Sequence, residues 1–119
     1  MRLKNKKLKF LLYVLILVFI SILYFFSGTI IGYTEANYDL YLSEPKYILS
    51  GELLPEENKF ENDLKIKYGV EVKRISNCIV SNYEHYYSKS YNSVICSYLK
   101  NKYKKDIIAE LFHYQWNVK

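Results

Sequence analysis

The segment from Phe10 to Thr34 constrains this chain most, because no charged residue falls between Lys9 and Glu35. A membrane-spanning helix needs about 20 mostly apolar residues, and this segment is long enough. A helix in the core of a water-soluble protein would show a polar face, and none is present. A chain of 119 residues has room for one small domain at most. We therefore expect residues 10–34 to form an uncleaved transmembrane signal anchor.

A cleaved signal peptide is the main alternative interpretation of this segment. The apolar core of a signal peptide runs for about 7–15 residues and ends in small residues. Here the run is longer, and its best cleavage site, Thr34-Glu35-Ala36, is a poor match. Under this alternative the protein would be a small secreted or periplasmic domain that begins after Ala36.

Basic residues are concentrated before the apolar segment. Five of the 17 lie in residues 1–9, and the remainder carries twelve basic and twelve acidic residues. The positive-inside rule predicts that residues 1–9 form a cytoplasmic basic segment. The C-terminal part should then lie outside the cytoplasm, on the periplasmic side of a bacterial inner membrane. Because that part has no net charge, we expect no binding to nucleic acid.

Gly28 and Gly32 lie near the outer end of the apolar segment, in a G-x-x-x-G pattern. This spacing leaves two positions without side chains on one helix face, so that another helix can approach closely. One interpretation is transmembrane helix packing, including a homodimer through the transmembrane helix. The other is the ordinary abundance of glycine in membrane helices.

The rest of the chain predicts a tether over residues 35–54 and a small α+β domain over residues 55–119. Turn signals at Ser43-Glu-Pro45 and Ser50-Gly51 indicate the tether, in which Tyr47-Ile-Leu49 could form a short strand. The domain has the order helix, strand or strands, helix. Its core is near the minimum size for independent folding.

The first predicted helix of the domain begins at Pro55 and ends at Gly69, a residue typical of C-terminal caps. The alternation in Val70–Ile75 predicts a strand, and Cys78-Ile-Val80 could continue it or form the return arm of a hairpin. We predict a loop or an irregular strand for residues 82–92, which are polar and aromatic with no evident period.

Apolar residues at spacings of three and four predict the last helix. Asn92 or Ser93 could cap it, and Asp106 could cap a separate final segment after a break near residues 104–106. The stripe consists of Cys96, Leu99, Tyr103, Ile107, Leu111 and Tyr114.

Four short motifs together resemble a pattern found in small, uncharacterised bacterial envelope proteins that are anchored by an N-terminal signal. They are Tyr68-Gly-Val-Glu71, Cys78-Ile-Val80, Tyr91-Asn-Ser-Val94 and Lys102-Tyr-Lys-Lys-Asp-Ile107. The resemblance covers about 40 residues and implies an envelope location and a small α+β domain, without a known activity. Lys104 departs from the pattern, which has glycine there.

The two cysteines, Cys78 and Cys96, could form a disulfide in an oxidising compartment. They could equally be small buried side chains that never meet. Together with His85 they lack the paired spacing of zinc motifs, so we expect no metal and no cofactor.

The segment around His85 carries the remaining candidates for function. Glu84 and His85 are adjacent, and neighbouring residues of an extended chain point apart. We therefore expect no catalytic residues and no enzymatic activity. The tyrosines could form a contact surface for a protein or a glycan, or could reflect composition alone. This surface comprises Tyr83, His85, Tyr86, Tyr87 and Tyr91.

The leading hypothesis from the sequence is a single-pass inner-membrane protein whose partners are the lipid bilayer and another protein. An immunity-like role against an envelope-targeting toxin and an accessory role in an envelope complex both fit. A ligand-binding or enzymatic envelope domain that uses residues 85–91 is the alternative, alongside the cleaved soluble domain.

Overall fold

The computed structural model describes residues 2–117, and within them the side chains of residues 4–113. The chain is mostly helical, with a two-stranded sheet between the helices. The elements in chain order are α1 (Arg2–Tyr41), β1 (Lys46–Leu49), α2 (Glu57–Tyr68), β2 (Glu71–Arg74), α3 (Asn82–Tyr103) and α4 (Ile107–Asn117).

Helix α1 is long and apolar enough to span a membrane, over Lys4–Tyr41. The side chains from Lys4 to Phe26 are all exposed in the isolated molecule. The helix does not end near residue 34, where the predicted tether begins, but continues to Tyr41. The reason is tertiary packing, because Ala36 and Asp39 are buried inside the domain.

Strands β1 and β2 pair in parallel, with Lys46 opposite Glu71 and Leu49 opposite Arg74. Helix α2 connects them, so the three elements form a β-α-β unit. The strand expected in Tyr47–Leu49 and the strand expected in Val70–Ile75 are both present. Their parallel pairing places the end of the predicted tether inside the domain.

Helix α2 begins at Glu57, two residues after the predicted start at Pro55, because Glu56 occupies the N-cap position. Its predicted end at Gly69 is confirmed. Gly69 has φ 67°, a left-handed conformation that glycine adopts without strain. The N–H of Val70 then donates to the carbonyl of Leu64, 3.2 Å away, and closes the cap.

The predicted loop over residues 82–92 is wrong, because this segment is the first half of α3. Ser81 caps the helix: its hydroxyl accepts from the N–H of Glu84, and the Glu84 carboxylate accepts from the N–H of Ser81. This reciprocal pair is a capping box. The predicted start at Asn92 or Ser93 is ten or more residues too late.

The sequence left open whether the last helix breaks near residues 104–106, and in the structure α3 ends at Tyr103 and α4 begins at Ile107. Lys104 has φ 59° and terminates α3 in the left-handed conformation, which glycine adopts more readily than lysine. The Asp106 carboxylate then accepts from the N–H of Ala109 at 3.0 Å and caps α4. The predicted stripe residue Tyr114 falls outside the described side chains.

Cys78-Ile-Val80 forms no strand but belongs to the loop between β2 and α3. The hydrophobic core lies between the β-α-β unit, α3 and the first turn of α4, and it closes on α1 through Ala36. Its fully buried side chains include Phe60, Leu64, Val70, Tyr91, Ile95, Leu99 and Ile107.

Candidate functional site

The outer end of α1 packs along the first half of α3, and glycine makes this possible. A Cβ atom added at Gly28 would lie 2.6 Å from the carbonyl oxygen of Tyr83. One added at Gly32 would meet the carbonyl oxygen of Tyr87 at a still shorter distance. The predicted helix packing at Gly28 and Gly32 therefore has a partner within the chain, and a second copy of α1 could not use this face without displacing α3.

The two helices run in the same direction. Gly28 lies beside Tyr83 and Gly32 beside Tyr87, while the Tyr91 hydroxyl reaches Asp39. Residue numbers therefore increase in the same direction along α1 and α3. Tyrosines at every fourth position of α3 thus face a row of small residues on α1, namely Gly28, Gly32 and Ala36.

Polar contacts fix the helix pair. The Ser90 hydroxyl donates to the carbonyl of Thr29 at 2.7 Å, near the end of the contact that adjoins the apolar segment. At the other end the Tyr91 hydroxyl donates to the Asp39 carboxylate at 2.5 Å. Lys46 lies 3.4 Å from the same carboxylate oxygen, so the buried charge of Asp39 is compensated from both sides.

Tyr87 and Tyr91 serve as buried hydrogen-bond donors. Burial, followed by hydrogen bonds to Glu35 and Asp39 respectively, raises the pKa of each phenol above its ordinary value. A phenol held protonated in this way is poorly suited to act as a base or a nucleophile at neutral pH. The two tyrosines connect α3 to α1.

An open groove of about 580 Å³ follows the helix pair on its solvent side. Its α1 wall is formed by Thr29, Tyr33 and Asn37, at successive turns of the helix, and spans about 12 Å. Its α3 wall is formed by Tyr86, Lys89, Ser90, Ser93, Val94 and Ser97. Three of these six α3 side chains, those of Ser90, Ser93 and Ser97, are small and carry a hydroxyl group.

The structure divides the predicted tyrosine surface. Tyr87 and Tyr91 are buried and cannot contact a partner, because they hold α3 to α1. Tyr83 is partly exposed, Tyr86 borders the groove, and His85 is exposed with its ring 5.3 Å from that of Tyr86. The groove residues Ser93 and Ser97 were not predicted, since only the helical periodicity of α3 places them beside Tyr86.

Of the two alternatives that the sequence left open for Cys78 and Cys96, the structure has the unbonded one, with both as free thiols. From Ser81 to Cys96, α3 rises about 22 Å, whereas the chain from Cys78 to Ser81 reaches back at most about 11 Å. The two Cα atoms are thus at least about 11 Å apart, beyond the roughly 7 Å that a disulfide bridges. Burial raises the pKa of the Cys96 thiol.

Arg74 connects the two loops that follow β1 and β2. Its guanidinium donates to both carboxylate oxygens of Glu57, at 2.9 and 2.6 Å. It also donates to the carbonyl oxygens of Gly51 and Ser76, at 2.9 and 3.0 Å. The pKa of Glu57 is lowered, chiefly by the hydrogen bond from Arg74.

Within the described part of the chain, no three His, Cys, Asp or Glu side chains cluster as metal ligands. Comparison with family models, with curated proteins and with solved structures finds no match to this chain.

Proposed function

We propose that this protein is a single-pass bacterial inner-membrane protein whose extracytoplasmic domain binds another envelope protein. The observation that carries the proposal is the groove between α1 and α3. It is open along its length, begins at the outer end of the apolar segment, and is bordered by two parallel helices. A third helix can pack against such a pair.

Membrane anchoring by α1 is supported by its exposed apolar side chains. From Leu8 to Phe26 nearly every large apolar side chain is exposed in the isolated molecule. Such a surface would be costly in water, and lipid would remove that cost. The basic residues before Phe10 favour a cytoplasmic N-terminus.

Retention of the anchor is favoured over cleavage after Ala36. Cleavage there would remove Gly28, Gly32 and Ala36, which form the surface that Tyr83, Tyr87 and Tyr91 cover. A released domain would expose these tyrosines and would leave the Tyr87 phenol without Glu35. The domain is therefore better suited to remain attached.

Protein binding is favoured over catalysis or small-ligand binding at residues 85–91. Two of the tyrosines in this segment are buried donors with raised pKa values, and His85 lies on the exposed surface beside Tyr86. The groove offers hydroxyl groups, an amide and one lysine, which suit helix contacts. We propose no enzymatic activity.

The partner that best fits the groove is a helical segment of a second membrane protein. Ser90, Ser93 and Ser97 present short side chains along one wall, and short side chains let helices approach closely in or near a membrane. Because the groove begins at the level of Thr29, the partner helix could continue into the bilayer beside α1. Both an immunity-like protein and an accessory subunit of an envelope complex would bind in this way.

Site-specific photo-crosslinking in cells tests the proposal. A photoreactive amino acid at Ser93 or Ser97 should yield a discrete crosslinked product with one envelope protein. The same amino acid at Asn101, which is exposed on α3 outside the groove, should not.

Purification of tagged protein from gently solubilised membranes provides the second measurement. Ser93→Tyr should fill the groove and abolish co-purification of the crosslinked protein, and Asn101→Tyr should retain it. Equal crosslinking at positions 93 and 101, or co-purification unaffected by Ser93→Tyr, would exclude the groove as the contact.

A further inference from the structure

The direction of the elements defines which end of the domain faces the membrane. Helix α3 runs parallel to α1, so its start at Asn82 is the end nearest the apolar segment. Strand β1 runs antiparallel to α3. Ile48 is hydrogen-bonded to Asn92, whereas Ser50, just after the strand, is hydrogen-bonded to Ser88, one turn earlier in α3. Both strands therefore point toward the membrane.

The loops that follow the two strands consequently lie at this membrane-facing end. One is residues 50–56, between β1 and α2, and the other is residues 75–81, between β2 and α3. They are neighbours, since a Cβ atom at Gly51 would lie 3.8 Å from a methyl group of Val80. Arg74 binds carbonyl groups of both loops and fixes their relative position.

Each of these loops exposes a large apolar side chain. Ile79 is 90% exposed and Leu53 is 69% exposed. Tyr83, in the adjoining first turn of α3, is 44% exposed. At the opposite end of the domain, Ile66 near the end of α2 is 82% exposed, and Tyr41 and Leu42 at the end of α1 are 84% and 45% exposed.

The height of these loops matches the outer boundary of a membrane. About 20 residues of helix cross the hydrocarbon, so a span that begins after Lys9 reaches that boundary near Gly28 and Thr29. Gly28 contacts Tyr83, and the Phe25 ring lies 5.5 Å from that of Tyr86. Residues 75–81 come directly before α3, and α3 then runs away from the proposed membrane surface. This loop therefore lies at or below the level of Gly28.

We propose that the two loops form a second membrane contact, in which Leu53 and Ile79 enter the interfacial region of the outer leaflet. The inference rests on the proposed membrane anchoring by α1. The occupant is lipid acyl chain, not anionic headgroup, because the charged groups nearby include the carboxylates of Glu52, Glu56 and Glu84. The contact defines which end of the domain faces the membrane.

Depth-dependent fluorescence quenching tests this proposal on the full-length protein. Cys78→Ser and Cys96→Ser provide a background for single cysteines at Ile79→Cys, Leu53→Cys, Ile66→Cys and Val18→Cys, each labelled with an environment-sensitive dye. The proteins are reconstituted in phosphatidylcholine vesicles that carry nitroxide-labelled lipid in both leaflets. Positions 79 and 53 are exposed, so substitution leaves the fold unchanged, which circular dichroism verifies.

We expect nitroxide lipid to quench the dye by about half or more at positions 18, 53 and 79, and by less than about a tenth at position 66. Quenching at 18 without quenching at 53 and 79 would overturn the second contact and leave the anchor intact. An absence of quenching at 18 would overturn the anchor and the second contact together. If quenching at positions 53 and 79 required added phosphatidylglycerol, an anionic lipid, the contact would depend on headgroup charge. That result would overturn apolar insertion of Leu53 and Ile79.

Discussion

Gly32 of α1 lies directly against the backbone of Tyr87 of α3, so close that even a Cβ atom has no room. Helix α1 is thereby part of the folded domain. The α1 face that carries Gly28 and Gly32 is occupied by α3 of the same chain.

Gly32→Leu should destabilise the protein by about 2–3 kcal/mol, because four added carbon atoms would push α3 away from α1. Denaturation in detergent micelles, followed by the near-ultraviolet circular dichroism of the tyrosines, measures the change. Thr34→Leu is the matched control, since residue 34 is exposed on the same helix. Equal stability of the two variants would contradict the close packing.

Tyr91→Phe should cost about 1.5–3 kcal/mol, because the buried Asp39 carboxylate loses the donor that lies 2.5 Å away. The free energy of unfolding of the variant, compared with that of the parent, gives this cost. Tyr41→Phe removes a hydroxyl from an exposed tyrosine and should change stability by less than about 0.5 kcal/mol.

The ion pair of Glu57 and Arg74 should make stability depend on pH in the acid range. Since the pKa of Glu57 in the folded protein lies below its ordinary value of 4.5, its contribution is complete above that value and is lost as the pH falls below it. Glu57→Gln should reduce stability at neutral pH, and the difference from the parent should shrink in acid. Urea denaturation at about pH 7 and about pH 3 measures both effects.

Glu61→Gln is the control for this experiment, because residue 61 is exposed on the same helix. Its effect should be small at both pH values. A parent and a Glu57→Gln variant that differ equally at neutral and acid pH would show that the ion pair is not the titrating element.

The two cysteines should behave as independent thiols even after exposure to an oxidant. Intact-mass analysis after alkylation without reduction should show two modified cysteines. Cys78, which is exposed, should react with a maleimide about tenfold or more faster than Cys96, because burial raises the pKa of the Cys96 thiol. An intramolecular disulfide in the native protein would contradict the placement of Cys78 before α3.

Lys104→Gly should stabilise the protein by about 1 kcal/mol, because Lys104 has φ 59° and glycine adopts this conformation without a steric cost. Thermal unfolding of the variant and the parent measures the gain. Lys105→Gly, one position later and without a positive φ, should bring no gain. A destabilised Lys104→Gly variant would contradict the left-handed cap.

The sequence was sufficient to predict elements that depend on local signals. The apolar segment predicted a long helix and Gly69 predicted the end of α2, while Asp106 was a candidate cap for a separate final helix. Each signal acts within a few residues of the feature it specifies, so no knowledge of distant contacts was needed.

The first half of α3 was missed although its signals are local as well. Ser81 and Glu84 have the spacing of a capping box, and Tyr83, Tyr87 and Tyr91 recur at every fourth position. Tyrosine is neither clearly polar nor clearly apolar, so the spacing of these tyrosines does not by itself predict a buried helix face. That face is recognised only once the glycine-bearing face of α1 is known to pack against it. The parallel pairing of β1 and β2 is a contact between distant segments, and two four-residue strands do not specify it.

If α1 spans a bilayer as proposed, its continuity into the domain makes the orientation of the domain depend on that bilayer. A helix whose apolar length exceeds the local hydrocarbon thickness tilts to match it, and α1 has no break between Arg2 and Tyr41 at which a tilt could be absorbed. Since α3 is fixed to α1 by Gly28, Gly32 and the hydrogen bond of Tyr91 to Asp39, the domain must lean with its anchor. Membrane thickness would thus set the angle at which the groove faces its surroundings.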